Sequence, residues 1–340
     1  MNVAYVLPIL PPKHPTAEAL NQEIAQLRAY FGGSLLYANP NAALPRQSPL
    51  RLPRLLFGWG SLRRLQGADV VHFFNPDPFP FPFLLALRRP VVYAVTSGVD
   101  DRRPNLAYFR RMAVVAVPDE RSEAQLRAWG LTNVMRQPPA IACDRFTYHP
   151  LPLPPDAPLR LLVASAPWTL RQFATKGFDA LLDAAATVPD LYLTLLWRGV
   201  LGDEIRRRVA DRGLAGHVTV IDGVADVDAL LGQAHAAALF ATRHAQVKSY
   251  PHSLLDALAA GKPVLTSRTI PMSDYVNETG CGVVIETVTP AAIADGLARL
   301  RADYIRYAAT AQAAGRRDFS PAAARDAVAA IYAAALTPSS

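Results

Sequence analysis

The stretch richest in usable chemistry is Lys248-Ser-Tyr-Pro-His-Ser-Leu-Leu-Asp-Ala-Leu-Ala-Ala-Gly-Lys-Pro-Val-Leu265. Its punctuation predicts a helix that Ser249 caps, Pro251 helps to start and Gly261 ends, with a strand resuming over Pro263–Thr266. The first turn of such a helix presents the main-chain N–H groups of His252, Ser253 and Leu254, at the positive end of the helix dipole. Amides arranged in this way suit a diphosphate. Asp256 lies about one turn further on and has the chemistry to accept hydrogen bonds from a ribose diol. Physics alone leaves a second reading open, a plain strand–helix–strand unit with a surface Asp.

Residues that hold a ligand in this way need strands to end beside them. Short runs rich in Val, Leu and Tyr alternate with longer helical patterns, which predicts βαβ units feeding a mostly parallel sheet. The alternation occurs twice. In the first half, strands are expected at Val3–Leu7, Ser34–Ala38, Val70–Phe73, Val91–Val95 and Ala113–Val117, with helices at Ala17–Tyr30 and Arg121–Trp129. In the second half, strands are expected at Leu159–Ala164, Leu191–Trp197, Val218–Ile221, Ala236–Phe240 and Pro263–Thr266, with helices at Phe178–Ala186 and Asp203–Arg212 between them. The proline-rich run from His149 to Pro158 can continue neither a helix nor a central strand and reads as a semi-rigid linker. Domains over residues 1–150 and 157–318 follow, with residues 319–340 forming a closing helix that crosses back to the first domain. In sheets of this kind ligands settle beyond the carboxyl ends of the strands.

Composition narrows the function. Of the 340 residues 51% are hydrophobic and 19% charged, yet no run of about 18 apolar residues occurs, so neither disorder nor a membrane-spanning helix fits. The apolar start, MNVAYVLPIL, lacks a basic leader and reads as a buried strand in a cytosolic protein. Cys143 and Cys281 stand apart with no Cys/His spacing, which supports neither a disulfide framework nor a metal site. A net charge of +7 suits acidic ligands such as sugar nucleotides or anionic lipid headgroups. With no aromatic RNA-binding run, zinc finger or helix-turn-helix pattern, nucleic acid is not an expected partner.

The Lys248–Leu265 segment resembles the signature of family 4 retaining glycosyltransferases, in which a Glu, seven residues and a second Glu lead into an Ala-x-Gly-x-Pro-Val run. Lys248 stands at the first Glu and Asp256 at the second. Other pieces follow in the family's order over nearly the whole chain. Met1–Leu7 with Pro15-Thr16-Ala17-Glu18 resembles the first strand and its acceptor-side loop, to which Thr16 and Glu18 belong. Asp69–His72, Pro90–Gly98 and Val114–Gly130 resemble the next strands, with Ser97 where a sugar-contacting His usually stands. Pro138–Phe146 resembles the run before the second domain, and Leu161–Ala166 with Lys176-Gly177 resembles the element that opens the donor domain.

The resemblance implies a GT-B fold: α/β, with two facing Rossmann-like domains, parallel sheets and a deep interdomain cleft. It further implies a metal-independent, cofactor-free enzyme that moves a hexose or related sugar from a nucleotide-diphosphate sugar to a glycan, lipid or small molecule, with retention. Lys176 matches the diphosphate-binding Lys, Arg171 is the candidate for a missing Arg, and Arg198-Gly199 would lie by the nucleotide base. Lys248 and Ser97 fall at catalytic positions, both with changed chemistry. An ammonium repels an oxocarbenium-like centre and attracts anions. Lys248 therefore points to a donor sugar bearing a carboxylate, to direct neutralisation of phosphate, or to a non-catalytic relative. A sugar-nucleotide epimerase of the same fold is a further alternative, expected to surround the anomeric carbon with acidic and His residues.

Two features are set lower. The basic and apolar stretch Leu50–Arg64 could rest on an anionic membrane face, giving a peripheral inner-face location, or form an ordinary acceptor-side loop and helix. Phe79, Phe81 and Phe83 are expected to fill core, and His72 to be a satisfied structural histidine.

Overall fold

A computed structural model describes residues 1–12, 18–43, 52–197, 200–244 and 247–337. The chain divides into two compact units, Met1–Ile141 with Pro321–Ser340, and Ala142–Ser320.

The first unit holds β1 (Val3–Leu7), β2 (Ser34–Tyr37), β3 (Val70–Asn75), β4 (Val91–Val95), β5 (Val114–Val117) and β6 (Val134–Arg136). They form one parallel sheet in the order β2-β1-β3-β4-β5-β6. Strands β1, β3, β4 and β5 are buried at every position, as expected where both faces of a parallel sheet are covered. Alternation then sorts the side chains. Val3, Tyr5 and Leu7 pack with Ile24, Val328, Ile331 and Tyr332 on one face, while Ala4 and Val6 join Phe73, Phe81, Phe83 and Tyr93 on the other. The helix Pro321–Leu336 is therefore part of this unit's core.

The second unit holds β7 (Leu159–Val163), β8 (Leu191–Trp197), β9 (Val218–Asp222), β10 (Ala236–Leu239), β11 (Val264–Ser267) and β12 (Gly282–Ile285). Its parallel order, β12-β11-β10-β7-β8-β9, is that of a dinucleotide-binding sheet, and the strand order reverses between β7 and β10. Its core runs through Leu161, Val163, Phe173, Phe178, Leu193, Leu195 and Trp197.

Three sequence expectations need correction. The first domain ends at Ile141 and not near residue 150. The proline-rich run, expected to be a semi-rigid linker, is tied to the second unit by distant side chains. Lys262 Nζ donates to the His149 carbonyl at 2.6 Å, Arg301 Nη1 to the Pro155 and Ala157 carbonyls, and the Tyr304 hydroxyl to Leu151. Strands β6 and β12, for which no strand was placed, complete the two sheets.

Candidate functional site

Where strand order reverses, the helices after adjacent strands diverge to opposite faces and leave a crevice. In the second unit this point is flanked by the segment after β7, with Ser165 and Ala166, and by the segment after β10 that enters the helix His252–Ala259. Lys176 is brought to the first of these by a sharp corner. It ends the helix Leu170–Thr175, and Gly177 follows with φ of 68° before the helix Phe178–Thr187. A Cβ on Gly177 would meet Val288 Cγ1 at 2.7 Å and Phe240 Cβ at 2.9 Å, so glycine is required by both dihedral and space.

The Lys176 side chain is only 8% exposed. Its ammonium donates to Ser165 Oγ at 3.3 Å and to the Ala166 carbonyl at 3.2 Å. Burial lowers its pKa to about 8. A cation held this close to neutrality by desolvation is poised to be stabilised by an incoming anion. Arg171, on the helix Leu170–Thr175, is exposed and makes no side-chain bond among the described residues.

The helix His252–Ala259 has Pro251 as its N-cap and no side-chain cap. Ser249, expected to cap it, is fully buried, bonds His244 Nε2 through its hydroxyl at 3.1 Å and accepts the Met272 amide on its carbonyl. The amide of Leu254 donates to the Pro251 carbonyl at 3.0 Å, and its side chain is buried. Leu254 is thereby corrected as a phosphate ligand, because its donor closes the first turn. His252 and Ser253 remain at the helix start. Gly261, with φ of 75°, follows the helix as expected.

Asp256 sits one turn into this helix, partly accessible. Crowding by protein raises its pKa to about 6, against the opposing pull of His252 and Arg145. Lys248 lies half-buried in the segment between β10 and the helix. Lys176, Lys248, His252, Ser253 and Asp256 thus belong to elements that flank one reversal of strand order.

The residues expected on the first unit follow its own sheet. Ser97 is half-buried in the turn after β4, where its amide donates to the Pro76 carbonyl at 3.2 Å and joins the ends of β3 and β4. Beside it stands a group that sequence reading missed. Arg54 bonds both oxygens of Asp77, at 2.9 and 2.7 Å, and Asn75 Oδ1 at 3.2 Å, and lies over Phe79 at 4.2 Å. Desolvation pushes the Asp77 carboxyl up, yet the hydrogen bonds and charge of Arg54, together with the hydrogen bonds from Asn75 and the backbone, outweigh this and hold it below its ordinary value. The signal was the Asn75-Pro-Asp77 run directly after a strand. Glu18 is the exposed N-cap of the helix Ala19–Phe31. Thr16, Arg198 and Gly199 lie outside the described residues.

His72 is structural, as expected. Its ring is wholly buried, with Nδ1 2.8 Å from the Tyr332 hydroxyl and Nε2 3.1 Å from Gln137 Oε1. Burial drives its pKa down to about 3. Phe81 and Phe83 are fully buried in the same unit. The stretch from Arg54 to Leu65 forms short turns that leave Leu55, Leu56 and Trp59 about half exposed. Both cysteines are buried, and burial raises their pKa values. Among the described residues no three His, Cys, Asp or Glu side chains gather to hold a metal.

Comparison with known proteins gives this geometry a context. Residues 170–317, which include Lys176, Lys248 and Asp256, match the family model of glycosyl transferases group 1. No curated protein sequence matches the chain. Among solved structures it is similar to a glycosyltransferase from Rickettsia africae ESF-5, with a TM-score of 0.74 at 12% identity over 99% of each chain. It is similar to sucrose-phosphate synthase from Thermosynechococcus elongatus, with a TM-score of 0.74 at 15% identity over 98% of each chain. The fold is GT-B. Anabaena HepE, solved with UDP and glucose, shares it with a TM-score of 0.70 at 14% identity over 98% of this chain and all of the other.

Proposed function

We propose that this GT-B chain is a glycosyltransferase that takes its sugar from a nucleotide-diphosphate donor bound on the second unit. The observation that carries the reading is Lys176, a buried ammonium with a lowered pKa, placed where the dinucleotide-type sheet reverses its strand order. The family match over residues 170–317 and the likeness to HepE support it.

In this reading Lys176 and Arg171, with the amides of His252 and Ser253, take up charge that grows on the diphosphate as the glycosidic bond breaks. Fixed donors of this kind lower the barrier because they need no reorganisation at the moment of reaction. Asp256 accepts from the ribose hydroxyls in its ionised form. Lys248 would face the sugar with a positive charge, which favours a donor carrying a carboxylate. Ser97 stands at a catalytic position, and Glu18 belongs to the acceptor side. The transfer proceeds without metal or cofactor and with retention, to a glycan, lipid or small molecule, in a cytosolic protein. Leu55, Leu56 and Trp59 offer it a peripheral hold on an anionic inner membrane face.

A panel of UDP- and GDP-sugars, neutral and uronic, tests the proposal by release of free nucleotide in the presence and absence of acceptors. Turnover of at least one donor is expected, and Lys248→Glu should shift the ratio of uronic to neutral turnover. A second reading rests on the two changed positions, Lys248 and Ser97: a protein that binds nucleotide sugar without transferring it. Tight nucleotide binding with no turnover across the panel would favour that reading.

A further inference from the structure

The chain spells Arg-Arg four times in the first unit; Arg102-Arg103 lies in the segment after β4, and the other three pairs are Arg63-Arg64, Arg88-Arg89 and Arg110-Arg111. Each of these three comes shortly before a strand, respectively β3, β4 and β5, and these are neighbours in the sheet. Adjacent strands lie about 4.8 Å apart. The three pairs therefore line up along the amino-terminal edge of the sheet, the end opposite the one where ligands of such sheets usually settle. Local bonds fix the alignment. Arg89 Nε donates to the Gln66 carbonyl at 2.8 Å, the Arg88 amide reaches Gln66 Oε1, and Arg110 Nη2 donates to the Gly130 carbonyl at 3.3 Å.

All six side chains are exposed, and among the described residues none of them makes an ion pair. Beside the second and third pairs opens a cavity of about 590 Å³, lined by Arg89, Arg110 and Arg111, but not by Arg63, Arg64 or Arg88, together with Asp69, Met1 and Leu336. Its one carboxylate, Asp69, is engaged by the Asn2 amide at 2.7 Å. Three guanidiniums around one concavity, facing a single carboxylate, are arranged for a multivalent anion, because each planar fork can hold two oxygens of one phosphate.

We propose that this cavity is a second binding site, separate from the donor site, that takes a phosphate-bearing anion. The phosphate could be soluble or part of a lipid headgroup, and the chemistry of recognition is the same.

The test keeps the full chain and carries Lys176→Ala throughout, so that the donor site does not compete for the probe. Inorganic pyrophosphate is titrated calorimetrically into this protein, and vesicles of phosphatidylcholine with and without phosphatidylglycerol are used for co-sedimentation. Adding Arg89→Ala, Arg110→Ala and Arg111→Ala should weaken whichever probe binds by at least about tenfold, the loss of one or more charge-assisted contacts. Loss of pyrophosphate binding alone identifies a soluble phosphate. Loss of phosphatidylglycerol-dependent sedimentation identifies a headgroup. The corresponding triple Gln variant keeps the packing stems without the charge, so it should show the same loss even if the alanine protein is less stable. Binding by either triple variant at the parent's affinity, or failure of the parent to bind both probes, overturns the proposal.

Discussion

In the second unit 18 Lys and Arg face 18 Asp and Glu, whereas the first carries 17 against 10, so the whole net charge of +7 belongs to one unit. The arrangement differs as much as the count. Arginines of the second unit are largely ion-paired: Arg206, Arg207, Arg208 and Arg212 interlock with Asp179, Asp183, Asp203, Glu204, Asp211 and Asp222. Among the described residues the diarginine pairs along the amino edge of the first unit make no ion pair. On the proposed reading, net charge is a poor guide to where the anionic donor binds. Within the neutral unit, one buried ammonium has a stronger claim than many solvated guanidiniums on the charged one, because desolvation magnifies its interaction with an anion.

The largest effect should come from removing a buried polar contact on the charged unit. His72→Ala opens a cavity beneath Tyr332 and removes a buried hydrogen-bond partner of its hydroxyl, at a cost of about 2–5 kcal/mol in urea unfolding. The native ring resists protonation down to about pH 3, whereas the unfolded ring, with its ordinary pKa of 6.5, does not. Its contribution is therefore full above pH 6.5 and falls as pH drops toward 3. His72→Gln should flatten that acid limb, and an unchanged limb would show that the ring titrates normally.

Next in size, Lys176→Ala should weaken UDP or GDP binding by about tenfold to hundredfold, the worth of one or two charge-assisted hydrogen bonds. The same titration on Arg63→Ala/Arg64→Ala protein should stay near wild type. Equal losses in the two proteins would break the comparison. Because burial holds Lys176 near pKa 8, nucleotide binding at pH 9 should take up protons, visible as a dependence of calorimetric heat on the buffer's ionisation enthalpy.

Smaller again is Asp256→Asn. A carboxyl raised from 3.8 to about 6 keeps its proton longer in the native state, so the fold loses stability as pH rises between these values. The Asn variant should lose this decline, gaining melting temperature at pH 7 relative to pH 4, while nucleotide affinity drops through the lost ribose acceptor. The smallest effect is expected from Arg207→Gln, since exposed ion pairs contribute little. A resolvable drop in its unfolding midpoint would show that the interlocked arginines act as a network.

Much of this was readable in advance. Buried parallel strands are unbroken Val/Leu/Tyr runs, so all ten expected strands are present to within a residue or two at their ends. The helix at His252 and its stop at Gly261 were written in local turn chemistry. What failed to be legible depends on distant partners. The run from His149 to Pro158 reads as a spacer until Lys262, Arg301 and Tyr304 are seen to bind its carbonyls from more than 100 residues away. Ser249 looks like a cap until His244 claims its hydroxyl. Strand β6 has three residues, too short to show a period. The diarginine pairs were visible as letters, but only the strand order makes them neighbours.

The first unit is written in two separate pieces of chain, and its last helix supplies Val328, Ile331 and Tyr332 to the packing around β1 and β3. During synthesis, then, the earlier-made half must wait with that sheet face uncovered and His72 without its tyrosine until the whole of residues 142–320 has left the ribosome. The portion made second is the first able to finish folding, and a nascent chain halted before residue 321 should engage chaperones through the half that was translated first.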